Sequence, residues 1–205
     1  SRHDFQVSRS AARGHNQRSG PDSPVVPTRG TYPADVPRRQ HLIGNRIEPL
    51  GTRTRGTTNP NRLRKVDRWL LGTEASLIRS TYDPLIVDLG YGATPITALE
   101  LLNRSRRIRS DVEVIGIEID PERVEAARHL ERPGLSFLVG GFELPLSDGR
   151  RPLIVRAFNV LRQYPVDQVT ASWDAMCHRL NPDGLLIDGT CDEIGRRATW
   201  IAVSP

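Results

Sequence analysis

Apolar residues in this chain follow two rhythms, and the switch between them marks out its elements. Mostly apolar runs at residues 85–87, 111–118, 135–140, 152–161, 185–190 and 198–203 are rich in Val, Ile and Leu and predict buried strands. Elsewhere apolar residues recur at every third or fourth position. Leu63, Val66, Trp69, Leu70 and Leu71 form one such stripe, and Ile96, Leu99 and Leu102 a second. Val124, Ala127 and Leu130 form a third; Val166, Val169, Trp173, Met176, Cys177 and Leu180 form a fourth. That spacing predicts amphipathic helices. A further short helix is predicted over residues 74–81. Thr57-Thr58-Asn59-Pro60-Asn61 reads as a turn and capping cluster. Thr94 is placed to cap the helix after the first strand, with Pro95 at its first position. Asp120-Pro121-Glu122 repeats the arrangement after the second strand. Strand and helix alternate from residue 84 onward. This predicts an α/β fold, a doubly wound and mostly parallel sheet with helices on both faces and its ligand at the strands' carboxyl ends.

Composition changes this picture mainly at the N-terminus. The 205 residues suit one domain with a substantial core. Residues 1–40 are rich in Ser, Arg, Gly and Pro without periodicity, and read as a disordered basic arm that cannot bury enough apolar surface to offset ordering. Residues 41–83 read as an N-terminal helical cover and 84–205 as the core. Isolated Leu42, Ile43, Ile47 and Leu50 predict a segment packed across the domain. The net charge of +5 is uneven: residues 1–68 carry 14 Lys and Arg against five acids, and the remainder 15 Arg against 19 acids. A basic arm fits an RNA or DNA partner, but with few aromatics and no motif it fits a solvated tail at least as well. No run of about eighteen apolar residues exists and no apolar leader opens the chain. Cys177 and Cys191 lack metal-ligand spacing. The expectation is a cytoplasmic protein with reduced thiols, no metal and no membrane contact. Since the first residue is Ser1, the natural start is expected elsewhere.

The candidate chemistry sits in Pro84-Leu85-Ile86-Val87-Asp88-Leu89-Gly90-Tyr91-Gly92-Ala93-Thr94-Pro95. Gly90 and Gly92 let a ligand approach the main chain, and a helix N-terminus follows, as in nucleotide crevices. A dinucleotide fingerprint wants a third glycine where Pro95 stands. Asp88 would repel a pyrophosphate but suits an ammonium group. A second acid, Glu118, ends the second strand, where a ribose is gripped through its hydroxyls. The plain alternatives are a ligand-free glycine turn and a solvated strand end.

D-L-G-Y-G resembles the first motif of class I S-adenosylmethionine-dependent methyltransferases, usually D-x-G-x-G. Glu118-Ile119-Asp120 resembles their E-x-D second motif. The resemblance covers roughly residues 60–204. It implies a Rossmann-like fold, S-adenosylmethionine as cofactor and a methyl-transferring enzyme. By it, Asp88, Gly90, Tyr91 and Gly92 would lie along the methionine portion, Glu118 would bind the ribose and Ile119 would pack on the adenine. Many members read G-D-A-E-x-L-P after the third strand, the Asp contacting the adenine amino group. Here Gly141 takes the Asp position, so a backbone group or Phe142 would have to replace that contact.

After the fourth strand the chain has Asn159-Val160-Leu161-Arg162-Gln163-Tyr164 in place of the (N/D)-P-P-(Y/F/W) of amino-methylating members. The acceptor is therefore unidentified, with a small molecule or other non-base-amine substrate favoured over nucleic acid. Asn159 faces the transferred methyl by the resemblance, and Asn159, Arg162 and Tyr164 are candidate substrate contacts. Thr58 or Asn59 would touch the methionine end, with plain capping the favoured reading. No catalytic base is assigned; Asp192, Glu193 and His178 are the nearest titratable candidates. Three alternatives stand: an RNA-directed methyltransferase using the basic arm, a non-catalytic cofactor-binding protein, and a nicotinamide-dependent oxidoreductase, against which Pro95 counts. Members normally finish with a helix and an antiparallel strand pair, so the sheet is expected to be shortened at its C-terminal end.

Overall fold

The computed structural model describes residues 48–53 and 56–205. The predicted arm over residues 1–40, and Leu42, Ile43 and Ile47 after it, lie outside them. Six strands form, close to the predicted runs: β1 (Leu85–Leu89), β2 (Glu113–Glu118), β3 (Leu135–Val139), β4 (Ile154–Phe158), β5 (Leu185–Cys191) and β6 (Ala198–Val203). They make one sheet in the order β3-β2-β1-β4-β5-β6, with the first five parallel and β6 antiparallel to β5. All residues of β1 and β4 are buried, as strands covered on both faces require.

The helices are α1 (Arg64–Thr73), α2 (Ala75–Ser80), α3 (Ile96–Ser105), α4 (Pro121–Ala127) and α5 (Val166–Cys177). Leu70, Ile78, Leu101, Leu102 and Val124 of α1 to α4 pack with Ile86, Val114, Ile154 and Ile187 on one face. The other face joins Leu85, Val87, Ile117, Val155 and Leu186 to Met176 of α5, Leu180 beyond it, and Phe142, Leu144 and Leu146 of the loop after β3. Helices therefore cover both faces, unequally. Strand order reverses between β1 and β4, and a crevice opens at the carboxyl ends of strands flanking such a reversal.

Four local expectations are corrected. Pro95, not Thr94, is the N-cap of α3, and the Thr94 hydroxyl donates instead to the Thr58 carbonyl at 3.3 Å. The buried stripe of α3 is Thr97, Ala98, Leu101, Leu102 and Ser105, with Leu99 only partly buried. Val166 is 88% exposed, because it starts α5 beyond the sheet's cover. Residues 48–53 form no helix, so the described part of the cover is a non-helical strap, 48–53, and the two helices α1 and α2. The Asp120 cap forms as expected, its carboxylate accepting the Glu122 N–H at 3.0 Å.

Candidate functional site

The turn after β1 is bare main chain. Gly90 and Gly92 have φ of 69° and 81°, the left-handed region that glycine enters at no steric cost. A Cβ on Gly90 would lie 2.6 Å from Val160 Cγ2, and one on Gly92 would lie 2.7 Å from Thr58 Oγ1. Tyr91 between them corrects the expectation in part. Its ring turns into the core, 5.4 Å from the Phe137 ring in an edge-on pair, so only its backbone faces the crevice. Its carbonyl accepts the Thr58 hydroxyl at 2.6 Å.

Asp88 is buried beneath this turn and its oxygens are taken. One accepts the Thr97 hydroxyl at 2.8 Å, the other the Arg156 Nε–H at 3.0 Å. Arg156 stands opposite Asp88 in the β1–β4 register and is fully buried. Its guanidinium also binds the buried Asp67 carboxylate of α1 and donates to the Thr97 carbonyl at 3.1 Å. Asp67 is shared with Arg104 of α3. Burial pushes the Asp88 carboxyl up from its ordinary value, while the Arg156 charge and the Thr97 hydroxyl pull it back.

Glu118, at the tip of β2, is held by peptide groups. One oxygen accepts the Gly92 N–H at 2.9 Å; the other accepts the N–H of Ile119 at 3.1 Å, with Asp120 N–H at 3.4 Å and Arg123 Nη1 at 3.5 Å. The acid of the second strand therefore fastens the glycine turn of the first.

Two cavities meet at Leu89 and Gly90. The larger, about 130 Å³, is lined by Asp88, Gly90, Tyr91, Gly92 and Asn159, together with Thr58, Arg162 and Glu193 among others. The smaller, about 20 Å³, is lined by Gly90, Glu118, Ile119, Gly141 and Phe142, with Tyr164 and strap residues Leu50 to Thr52. All nine residues expected to hold the cofactor thus line one cavity or the other. Asn159, with φ of 60°, spends its side chain on β5: its carbonyl oxygen accepts from the Thr190 hydroxyl at 2.9 Å and the Cys191 N–H at 3.1 Å. Asn59 donates to the Glu193 carbonyl at 3.0 Å. His178 and Asp192 line neither cavity. The first sits just past the end of α5, and the second accepts the Arg196 and Arg197 N–H groups in the β5–β6 turn. No cluster of potential metal ligands occurs among the described residues, and no described helix is long and apolar enough to cross a membrane.

Glu143 is a residue the sequence reading passed over. One of its oxygens accepts the Gly141 N–H at 2.8 Å and the other the Leu50 N–H at 2.7 Å. Its carboxylate stands beside Gly141, where there is no side chain. It falls on the Glu of the G-D-A-E-x-L-P pattern, and that match was the signal available.

The sequence matches no protein-family model and no curated protein. Solved structures do resemble it. The CMeT domain of the citrinin polyketide synthase is 19% identical with a TM-score of 0.50, over 65% of this chain and 36% of that one. The plantazolicin methyltransferase BamL, in complex with a triazolic desmethylPZN analogue and SAH, is 16% identical with a TM-score of 0.47, over 64% of this chain and 46% of that one. The first of these shares its fold with this chain, a Rossmann-like, mostly parallel sheet with helices on both faces. The chain spans less than half the length of either of these structures.

Ligand clefts of drug-sized molecules are commonly about 300–1,000 Å³. The glycine turn offers exposed main chain beside the first cavity. The second cavity brings together an acid, the apolar Ile119 and the aromatic Phe142, with strap residues Leu50 to Thr52 along it.

Proposed function

We propose that this chain binds S-adenosylmethionine and transfers its methyl group to an acceptor other than a base amine. One observation carries the reading: Glu118 of β2 and the glycine turn of the neighbouring β1 are joined at 2.9 Å at the carboxyl ends of their strands, beside the point where strand order reverses. The two motifs that resemble those of the family in sequence therefore form one wall in space.

When bound, the cofactor supplies a sulfonium whose methyl is already activated toward nucleophiles. The chain's own work is to bind, orient and exclude water. Gly90 and Gly92 offer main chain without side-chain bulk, and Glu118 keeps Gly92 in place while leaving a carboxylate beside the second cavity. Leu63, Leu89 and Phe158 line the first cavity with apolar surface. Holding two reactants in line can supply about 7–11 kcal/mol of the barrier. Should an acceptor need to lose a proton, Glu193 is the candidate base that lines this cavity.

Titration of S-adenosylhomocysteine and of NAD into the full chain by calorimetry tests the reading. Binding of the first and not the second is expected; preference for NAD would overturn it. Gly92→Val should abolish the binding while far-ultraviolet circular dichroism stays near wild type. Valine is disfavoured at φ of 81° and its Cβ would meet Thr58 at the ligand edge.

A further inference from the structure

Leu50, Gly51 and Thr52 of the strap line the second cavity, and the strap holds on mainly by backbone. The Leu50 N–H donates to Glu143 at 2.7 Å, and the Leu50 carbonyl accepts the Phe142 N–H at 3.0 Å. The Thr52 N–H donates to the Tyr164 hydroxyl at 2.6 Å, and Arg53 pairs with Asp120 at 2.8 Å. A Cβ on Gly51 would lie 2.9 Å from Tyr164 Oη, 3.5 Å from Phe142 Cε2 and 3.6 Å from Ile119 Cδ1. The strap thus threads between the groups suited to a nucleoside.

The chemistry of the contact is specific. One residue of the strap offers a donor and an acceptor to a carboxylate and a peptide N–H. Adenine's Watson–Crick edge offers the same pair, its 6-amino group as donor and N1 as acceptor. Gly141 belongs to the same arrangement. A Cβ there would lie 1.9 Å from the Leu50 carbonyl oxygen, so a side chain at 141 and the strap cannot coexist. With no side chain at position 141, the carboxylate at this spot is that of Glu143, which accepts the Gly141 and Leu50 N–H groups and leaves room for the strap.

We infer that residues 48–53 are an internal competitor for the base subsite: the Leu50 peptide occupies Glu143 and the Phe142 N–H in place of an adenine edge, and cofactor and strap exclude one another. The inference rests on the cofactor reading above. The strap is suited to leaving. Leu50 is 51% exposed and the Arg53 side chain 63%, so the strap's hold is a few hydrogen bonds and one half-solvated ion pair rather than buried apolar surface. A site whose competent form is only fractionally populated shows an affinity reduced by that fraction.

The test uses the full chain with S-adenosylhomocysteine as probe. Hydrogen exchange should show the amides of Leu50 and Thr52 losing protection at saturating ligand while the Phe142 amide stays protected. The Leu50→Pro/Arg53→Ala variant removes the donor to Glu143 and the latch on Asp120, and should bind about tenfold more tightly as the competent fraction rises. S-inosylhomocysteine, which carries an acceptor in place of the 6-amino group, should bind at least about tenfold more weakly than S-adenosylhomocysteine to the wild type. Wild-type binding with the strap still protected, or a variant that binds no better, would make residues 48–53 a wall of the site and overturn the competition alone. Equal affinity for the two nucleosides would remove Glu143 from base recognition, and the mimicry with it. No binding to either protein would overturn the cofactor reading together with this one.

Discussion

Asp88 and Glu118 lie near the carboxyl ends of neighbouring strands, both almost fully buried, yet the protein holds them in opposite ways. Asp88 faces a buried cation and a hydroxyl, and its cation is shared with Asp67 of α1. Glu118 faces mainly peptide N–H groups of the turn and loop that border the crevice. The difference separates two jobs. The charge of Asp88 is spent inside the fold, tying α1, β1, α3 and β4 together beneath the turn. The bonds of Glu118 are mainly to main chain bordering the crevice, where, under the cofactor reading proposed above, a ribose hydroxyl would share the same oxygens.

The largest expected effect tests the Asp88 side of this contrast. Arg156→Met leaves Asp67 and Asp88 as buried carboxylates, with only Arg104 remaining to Asp67. Breaking a buried ion pair from one side costs about 3–5 kcal/mol. Urea unfolding should show a loss of that order, and adding Asp88→Asn to the variant should recover part of it, since the stranded charge is gone. A loss below about 1 kcal/mol, the range of solvated pairs, would mean that water reaches this network.

Glu118→Ala comes next and should act on binding. Hydrogen bonds to a charged group contribute about 1.5–3 kcal/mol, so affinity for S-adenosylhomocysteine should fall by roughly tenfold to a hundredfold. Calorimetry on the folded variant reads it. Unchanged affinity would make Glu118 a fastener of the Gly92 turn and nothing more.

The same contrast marks what the sequence could say. The strands were legible because apolar runs of strand length have few other uses, and the motif glycines because few residues adopt their backbone. The buried face of α3 was not. Thr97 turns inward to reach Asp88 with its hydroxyl and Arg156 with its carbonyl, and apolar periodicity is blind to a polar anchor. Arg156 is one charge in an apolar run, and its partner Asp67 lies 89 residues away, beyond the reach of any local pattern. Tyr91 looked like a ligand residue because it lies between two motif glycines, yet Gly116 makes room for its ring in the core. There a Cβ would sit 3.0 Å from Tyr91 Cδ1 and 2.6 Å from Phe137 Cδ1. Glu143 and the strap were hidden for another reason: each gains meaning only from the other, across 93 residues.

A third acid isolates the ingredient that Asp88 has and a lone carboxylate lacks. Asp188 of β5 is partly buried, and its side chain accepts the Trp173 indole N–H at 3.1 Å; the hydrogen bonds it receives are neutral. Burial pushes its carboxyl up, and the Trp173 and Gly189 N–H groups offset this only in part. The folded-state value therefore lies above the unfolded one, which is about 3.9 for an aspartate. Such a group contributes stability that is fully present below the unfolded value and is lost as pH rises through the folded one. Asp188→Asn keeps an acceptor for Trp173 and removes the titration, while every other acid titrates alike in both proteins and cancels in their difference. The wild type should gain on the variant as pH falls from 7 toward 4, and this should be the smallest of the three effects. Paired melting curves over that range check it. A wild type that instead gains as pH rises would mean that groups favouring the charged carboxylate outweigh burial at Asp188.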